Sequence, residues 1–252
     1  MKVGALFTDY DGTIAPMNVS REESRVPETL LSKLVLLSSR IPVAVITAKD
    51  ITFVRARTTF AKGWACVMGT EVMLADGTGY TAGPAQGLEA PFQMVEKLVP
   101  PGATVEKKLA SDGRALGFSI DWSDGPPVSR SRVASIVSTL RGRGLHVTHD
   151  GEERFVDAIC VETDKGAALI SLKRMLGVEG AVMYLGDSLS DNDAFDVAEI
   201  PVGVSHGQRT ESLRCRYLID YESVSELLDR LLDRDLEFTR STVEEMTGGK
   251  DL

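Results

Sequence analysis

The chain has 252 residues, of which 43% are hydrophobic and 26% charged, an ordinary composition for a globular protein with a full core. Its formal net charge of −9 argues against general binding to nucleic acids or anionic membranes. No apolar run approaches the roughly 20 residues of a membrane-spanning helix, and no basic leader with a cleavage site precedes the first predicted strand. We therefore expect a cytoplasmic protein without nucleic-acid or membrane partners.

Short apolar strands alternate with helices in the first 80 residues and again after residue 160. Predicted strands are Val3–Thr8, Ile41–Thr47, Ala65–Gly69, Ala181–Leu185, Ile200–Val204 and Tyr217–Ile219, and predicted helices are Pro27–Ser39, Lys165–Leu176, Asn192–Ala198 and Ser223–Leu232. This alternation predicts an α/β fold, with a Rossmann-like parallel sheet and helices on both faces.

The middle of the chain breaks the alternation with a helix–strand–strand pattern that occurs twice. Its predicted elements are helices at Leu88–Val99 and Pro127–Arg141 and strands at Thr104–Leu109, Ala115–Trp122, Leu145–His149 and Arg154–Val161, the last two flanking Asp150-Gly151. Such a pattern predicts an open antiparallel sheet with two helices on one face. We interpret residues 81–159 as an α+β domain inserted into a core made of residues 1–80 and 160–252.

Polar residues follow the predicted parallel strands, at the end where open α/β sheets bind their ligands. These residues are Asp9 and Asp11 after the first strand, Thr47 after the second, and Asp187 and Asp191 after Ala181–Leu185, while Lys165 opens the helix that follows the insertion. Taken alone, the Asp9–Thr13 pentapeptide could also be a solvated acidic turn. The polar residues that follow the other strands favour a functional site over a solvated turn.

This set of residues suits phosphoryl transfer. Converging carboxylates repel one another unless a hard cation lies between them, and Mg²⁺ needs only a few oxygen ligands from protein. One carboxylate can attack phosphorus to form an aspartyl-phosphate, and a second carboxyl two residues on can exchange protons with the leaving group and with water. A hydroxyl and a lysine would bind the other phosphoryl oxygens.

The order of these motifs resembles the haloacid dehalogenase superfamily of phosphatases. Asp9-x-Asp11-Gly-Thr matches its first motif, Thr47 its second, Lys165 its third, and Gly186-Asp187-x-x-x-Asp191 its fourth. The resemblance implies that Asp9 is the nucleophile and Asp11 the general acid/base. It also implies Mg²⁺ bound by Asp9, the Asp11 carbonyl and Asp187, with Asp191 supporting the metal directly or through water. Thr47 and Lys165 would bind the phosphoryl group.

The insertion resembles the C2B-type cap domain of this superfamily, and local stretches resemble trehalose-6-phosphate phosphatases. These stretches are Asp9–Pro16, Asp191–Phe195, Pro201–Val204 and the cap segment Val105-Glu106-Lys107-Lys108, which is similar to a Glu-x-Lys stretch that faces the sugar. The resemblance implies a small phosphorylated sugar as partner, a monomer or weak dimer, and substrate contacts from Glu106 and Lys108. Ala48 and Lys49, which follow Thr47, are further candidate substrate-binding residues, although Lys49 is a point charge without the planar fork of arginine.

Two departures from the pattern of trehalose-6-phosphate phosphatases leave several substrates as alternatives. The second motif continues as Ala48-Lys49 where that family usually has Gly-Arg, and Asp187-Ser188 replaces two adjacent aspartates. The alternatives are a sucrose-phosphate, mannosyl-3-phosphoglycerate or phosphoglycolate phosphatase, a sugar phosphomutase, and a non-catalytic sugar-phosphate sensor. His206 lies in a predicted loop near the same rim, where a structural role is the main interpretation and a site role the alternative.

Overall fold

The computed structural model describes residues 1–84, 88, 92, 93, 95, 99, 101–123, 125–149, 154–207 and 212–247. Most of the helix predicted at Leu88–Val99, and the Asp150-Gly151 turn, lie outside the described residues. In the described part of the chain, no helix combines the length and the apolar character that crossing a membrane requires.

The described strands and helices follow the predicted order closely. The strands are β1 Val3–Thr8, β2 Val43–Ile46, β3 Gly63–Cys66, β4 Glu71–Leu74, β5 Gly79–Thr81, β6 Thr104–Leu109, β7 Ala115–Asp121, β8 His146–Thr148, β9 Phe155–Ile159, β10 Ala181–Gly186, β11 Ile200–Ser205 and β12 Tyr217–Asp220. The helices are α1 Glu28–Ser38, α2 Ile51–Arg55, α3 Arg130–Arg141, α4 Lys165–Met175, α5 Asn192–Val197, α6 Val224–Asp233 and α7 Arg240–Thr247.

The larger sheet has eight strands in the order β12-β11-β10-β1-β2-β3-β4-β5. The six strands from β12 to β3 are parallel, and described helices connect β1 to β2, β2 to β3 and β10 to β11. Successive side chains of β1 point to opposite faces, so Leu6 packs in a core with α1 and α6 while Phe7 packs in a second core with α4 and α5. The predicted doubly covered α/β sheet is confirmed.

The edge beyond β3 differs from the prediction. The third strand lies at Gly63–Cys66 and not at Ala65–Gly69, because Val67 and Met68 adopt positive φ angles of 49° and 57° that end the strand. The chain then forms the antiparallel hairpin of β4 and β5, which we did not predict. Its signal is Asp76-Gly77, a typical hairpin turn in which the Asp76 carboxylate accepts from the Thr78 amide at 2.8 Å.

The smaller sheet has the order β6-β7-β9-β8 and is antiparallel throughout. Helix α3 packs its buried residues Val133, Ile136 and Leu140 into the same apolar cluster as Phe118 on β7 and Val156 on β9. This sheet begins and ends within residues 81–159, where the inserted domain is predicted. The domain limits themselves stay a prediction.

The smaller sheet contacts the larger one at the turn between β6 and β7. Glu71 on β4 is 1% exposed, and its carboxylate accepts hydrogen bonds from the Ser111 hydroxyl at 2.6 Å and the Ser111 amide at 3.0 Å. Ala110, beside it in the turn, is buried in the apolar cluster of the larger sheet. The turn thus anchors the smaller sheet beside the edge where the parallel strands end.

Candidate active site

The turn after β1 brings Asp9 and Asp11 to the carboxyl edge of the larger sheet. Gly12 has a φ of 74°, and a Cβ at this position would lie 2.1 Å from Oδ2 of Asp187. Glycine is therefore required both by the backbone conformation and by the close approach of the loop after β10. Asp9 is 7% exposed, and the Asp11 carboxylate accepts from the Ser24 hydroxyl at 2.8 Å.

Lys165 begins α4 and is 1% exposed, with Asp164 capping the helix through the Ala167 amide at 2.7 Å. Its Nζ lies 3.0 Å from Oδ2 of Asp9 and 2.7 Å from Oδ1 of Asp191. A buried ammonium is stable only when it is paired, and here two carboxylates pair with it. Residues predicted from three separate motifs thus meet around one side chain.

Asp191 is fully buried, and protein donors reach both of its oxygens. The Tyr184 hydroxyl donates to Oδ1 at 2.6 Å, in addition to Lys165. Oδ2 accepts from the amides of Asp187 and Ser188 at 3.1 and 3.0 Å. Asp191 therefore organises the loop after β10 and sets the position of Asp187.

Negative charge is in excess at this edge. Burial raises the pKa of Asp9 well above its usual value; Lys165 opposes the rise, while Asp191 and Asp187 add to it. Burial and Asp191 likewise raise the pKa of Asp187 to about 6. For Lys165, burial lowers the pKa, but Asp191 and Asp9 outweigh it and raise the pKa above its usual value. Carboxylates in such a cluster are stabilised by an added cation.

The same three carboxylates have the spacing of a metal site. One oxygen from each of Asp9, Asp187 and Asp191 lies within 4.8 Å of the others. Carboxylate oxygens are the ligands that Mg²⁺ prefers, and Mg²⁺ usually keeps several waters and takes only one or two carboxylates. The donor set therefore fits a hard divalent cation.

Thr47 follows β2 at the same edge and is 2% exposed. Its hydroxyl accepts from the Lys49 amide at 3.1 Å, which closes the turn through Ala48. The Lys49 ammonium lies 3.7 Å from the Asp11 carboxylate and 3.9 Å from that of Glu106 on β6. Lys49 thus stands between the two sheets and contacts Asp11, not Asp9.

A cavity of about 630 Å³ lies between the two sheets. The larger sheet lines it with residues that include Asp9, Thr47, Lys165 and Asp187, and the smaller sheet with residues that include Asp121, Arg154, Phe155 and Asp157. The predicted residues Glu106 and Lys108 line an adjoining cavity of about 230 Å³. Both have protein partners: Glu106 pairs with Arg21, and Lys108 is buried against Asp157.

Sequence similarity supports the resemblance found in the motifs. No protein-family model matches the chain. The trehalose-phosphate phosphatase of Mycobacterium tuberculosis (strain H37Rv) is 29% identical over 246 residues, which cover 90% of this chain and 61% of that protein. The chain therefore spans about three fifths of the length of that protein.

Solved structures decide the fold. The C-terminal domain of C. albicans trehalose-6-phosphate phosphatase superposes with a TM-score of 0.74 at 15% identity, covering 92% of this chain and 93% of that one. A sugar phosphatase of haloacid dehalogenase subclass IIB superposes with a TM-score of 0.64 at 15% identity, covering 93% of this chain and all of the other, 100%. The chain has the haloacid dehalogenase fold. The expected fold class is confirmed, and so is the resemblance to trehalose-6-phosphate phosphatases.

Several residues at the site of this haloacid dehalogenase fold were missed or underrated in the sequence. The hydroxyls of Tyr184 and Ser24 bind Asp191 and Asp11, and Arg21 reaches Glu106 on the smaller sheet. His206, for which a structural role was the main interpretation, lies beside Asp187 and Gly12. The sequence signal for His206 was its place in a loop near the rim, and that for Tyr184 is its place inside an apolar strand, where a tyrosine needs a buried hydrogen-bond partner.

Proposed function

We propose that this protein is a Mg²⁺-dependent phosphatase that hydrolyses a phosphorylated sugar, with trehalose-6-phosphate as the first candidate. The observation that carries the proposal is the buried pair of Asp9 and Lys165, 3.0 Å apart at the base of a cavity whose opposite wall is the smaller sheet. A carboxylate beside a fixed ammonium can attack a phosphate whose charge the same ammonium helps to neutralise.

Mg²⁺ would be held by Asp9, Asp187 and the Asp11 carbonyl. Asp191 would support the site indirectly, because protein donors already reach both of its oxygens. When bound, the metal would neutralise charge on the phosphate oxygens and on the carboxylates. The excess of negative charge among these side chains is what makes a divalent cation fit.

In the first step, an Asp9 oxygen would form a bond to phosphorus while the bond from phosphorus to the sugar oxygen breaks. The Asp11 carboxyl would give its proton to the departing sugar oxygen, so that the sugar leaves as a neutral alcohol. Thr47 and Lys165 would bind the phosphoryl oxygens, where charge is concentrated in the transition state.

In the second step, Asp11 would take a proton from water, and the water oxygen would attack the phosphorus of the aspartyl-phosphate. The bond between phosphorus and Asp9 then breaks and restores the carboxylate. Asp11 alternates between acid and base in this cycle, because the proton that it gives to the sugar oxygen in the first step is regained from water in the second. Its side chain is 36% exposed and lines the cavity, where it can reach both the sugar oxygen and a water molecule.

A sugar phosphate is the proposed substrate because the cavity is larger than a phosphate needs and its far wall is polar. Its volume of about 630 Å³ lies within the usual range for small-molecule sites, roughly 300–1,000 Å³. The names of the trehalose-phosphate phosphatase relatives favour a disaccharide phosphate. We also propose that Glu106 and Lys108 contact the sugar. Each side chain would exchange its interaction with a protein partner for hydrogen bonds to sugar hydroxyls.

The test is phosphate release from a panel of substrates, with Mg²⁺ and then with EDTA. The panel contains trehalose-6-phosphate, sucrose-6-phosphate, mannosyl-3-phosphoglycerate, phosphoglycolate, hexose phosphates and an aryl phosphate. We expect metal-dependent release that is fastest from trehalose-6-phosphate and is abolished by Asp9→Asn. Asp229→Asn changes an exposed aspartate on α6 that pairs with Lys33 on α1; it is the matched control and should keep full activity.

Each other outcome rejects a defined part of the proposal. Faster release from another sugar phosphate rejects trehalose-6-phosphate alone. Conversion of hexose-1-phosphate to hexose-6-phosphate with little free phosphate indicates a phosphomutase. Substantial activity in pure Asp9→Asn protein rejects the assigned nucleophile. Ligand-induced stabilisation without turnover of any substrate indicates a sensor.

A further inference from the structure

His206 has no part in the proposed reaction, yet its ring contacts the loop that carries Asp9 and Asp11. Its Nε2 lies 2.7 Å from the carbonyl oxygen of Gly12. A carbonyl oxygen can only accept, so Nε2 is the donor in this hydrogen bond. His206 follows β11 and Gly12 follows β1, on either side of β10 in the sheet. The bond therefore joins two loops across the strand that leads to Asp187.

The same ring also lies beside the carboxylate of Asp187. Nε2 is 4.0 Å from Oδ2 of Asp187, and Gly12 approaches that oxygen closely enough to exclude any larger side chain. The Asp187 carboxylate is thus confined between the Gly12 backbone and the His206 ring. The ring in turn stacks on Tyr221 after β12, with centroids 5.1 Å apart and planes 28° apart. His206 is therefore supported from the outer part of the sheet.

The Gly12 backbone is fixed on both sides. Its amide donates to the Ala15 carbonyl at 2.8 Å, and its carbonyl accepts from His206. In a trans peptide the C=O and N–H groups point in opposite directions. The Asp11 carbonyl shares a peptide group with the Gly12 amide, so it points away from Ala15. Tilting this turn would change the direction of the Asp11 carbonyl and the space left for Asp187.

We propose that His206 is a positioning residue, which holds the Gly12 turn and the Asp187 carboxylate in the arrangement that a divalent cation requires. The inference rests on the cation site of the proposed function. It assigns His206 no contact with substrate and no proton transfer. Groups that orient metal ligands typically change metal affinity 10- to 100-fold, and we expect an effect at the lower end, about tenfold, because only one donor is involved.

The experiment uses two variants to separate the effect of the hydrogen-bond donor of His206 from the effect of its aromatic ring. His206→Gln keeps an N–H donor near the position of Nε2 and loses the ring, whereas His206→Phe keeps a ring on Tyr221 and loses the donor. Affinity for Mg²⁺ alone is measured by titration calorimetry on chelator-treated protein. We expect His206→Phe to bind Mg²⁺ about tenfold more weakly than wild type and His206→Gln to stay within about threefold. If His206→Phe does not fold, His206→Leu replaces it.

His149→Phe is the matched control, because His149 also bonds a backbone carbonyl, that of Phe155 at 2.8 Å, and lies on the smaller sheet. Its Mg²⁺ affinity should equal that of wild type. Unchanged affinity in His206→Phe, or equal losses in the Phe and Gln variants, overturns the role of the donor. Wild-type protein that binds no Mg²⁺ overturns the proposed cation site and this inference with it, so the two failures are distinguishable.

Discussion

Two buried lysines, one beside each sheet, differ in the charges that surround them. Lys165, at the start of α4 beside the carboxyl edge of the larger sheet, and Lys108, on β6 of the smaller sheet, have side chains only 2% and 3% exposed. Lys108 pairs with Asp157, one charge against one, and the Ser119 hydroxyl also donates to that carboxylate at 2.7 Å. Lys165 faces a cluster of three carboxylates, those of Asp9, Asp187 and Asp191.

The difference in charge balance indicates which of the two lysines lies at a site for a metal ion and a phosphate. The pair of Lys108 and Asp157 is neutral and needs nothing further. The cluster around Lys165 has two negative charges in excess, which a divalent cation would balance and a phosphate could then approach. A buried lysine is therefore no sign of a catalytic site by itself. The charge left uncompensated around it is the informative quantity.

The largest expected effect on activity is found by comparing Asp11 with Glu106, whose carboxylates lie on either side of Lys49. Asp11→Asn removes the proposed acid and base and should lower kcat by about 10²- to 10⁴-fold. With the aryl phosphate, whose leaving group needs no proton, aspartyl-phosphate should accumulate in a rapid-quench experiment. Glu106→Gln is the same chemical change on the smaller sheet. It should raise KM and leave kcat within about tenfold. Equal losses of kcat would remove the distinction between the two walls.

Removing each lysine tests the charge balance directly. In EDTA, we expect Lys165→Met and Lys108→Met each to lower the free energy of unfolding, Lys165→Met by about 3–5 kcal/mol, because a buried charge is left unpaired. Adding Asp157→Leu to Lys108→Met should recover most of the loss. Adding Asp191→Leu to Lys165→Met should not, since the Asp9 carboxylate stays buried without its lysine partner. One hydroxyl, of Ser119 or of Tyr184, loses its acceptor in each double variant. Urea unfolding measures all four variants, and recovery in both pairs contradicts the comparison.

A metal ion should stabilise the folded protein only through the site at the carboxyl edge of the larger sheet. A ligand at 100 times its dissociation constant adds about 2.7 kcal/mol to the free energy of unfolding. Thermal unfolding is measured in EDTA and in Mg²⁺ at 100 times its dissociation constant. Mg²⁺ should raise the melting temperature of wild-type protein and of Asp157→Asn by the amount that corresponds to this free energy. It should not raise the melting temperature of Asp187→Asn. Loss of the rise in Asp157→Asn would mean that the smaller sheet takes part in metal binding.

The smallest effect concerns the contact between the sheets through Arg21. Its guanidinium pairs with Glu106 across the cleft and with the Asp50 carboxylate at 2.8 Å, and its side chain is 36% exposed. A double-mutant cycle of Arg21→Gln and Glu106→Gln should give a coupling free energy of about 0.5–1 kcal/mol, as for other half-exposed pairs. Because salt screens such pairs, the coupling should fall in 1 M salt. Coupling that is insensitive to salt would argue for a packing contact.

The fold and the central residues could be predicted because their signals are local. Each core strand is a short apolar run, and the polar residue after it, such as Asp9 or Thr47, lies at the carboxyl edge whenever the strands are parallel. The β4–β5 hairpin was missed because Met68 and its neighbours look like a continuing strand until the positive φ angles end it. Local apolar runs do not report such reversals.

The amino-acid sequence by itself determined the α/β core, the order of its strands along the chain and the residues that end them, since apolar periodicity and strand-end motifs involve near neighbours. Only the tertiary structure decided which charges meet. His206 and Gly12 lie 194 positions apart, and Lys108 and Asp157 lie 49 apart. Pairing over such distances depends on how whole sheets pack, because no local pattern records which carboxylate will share a lysine and which will be left in excess.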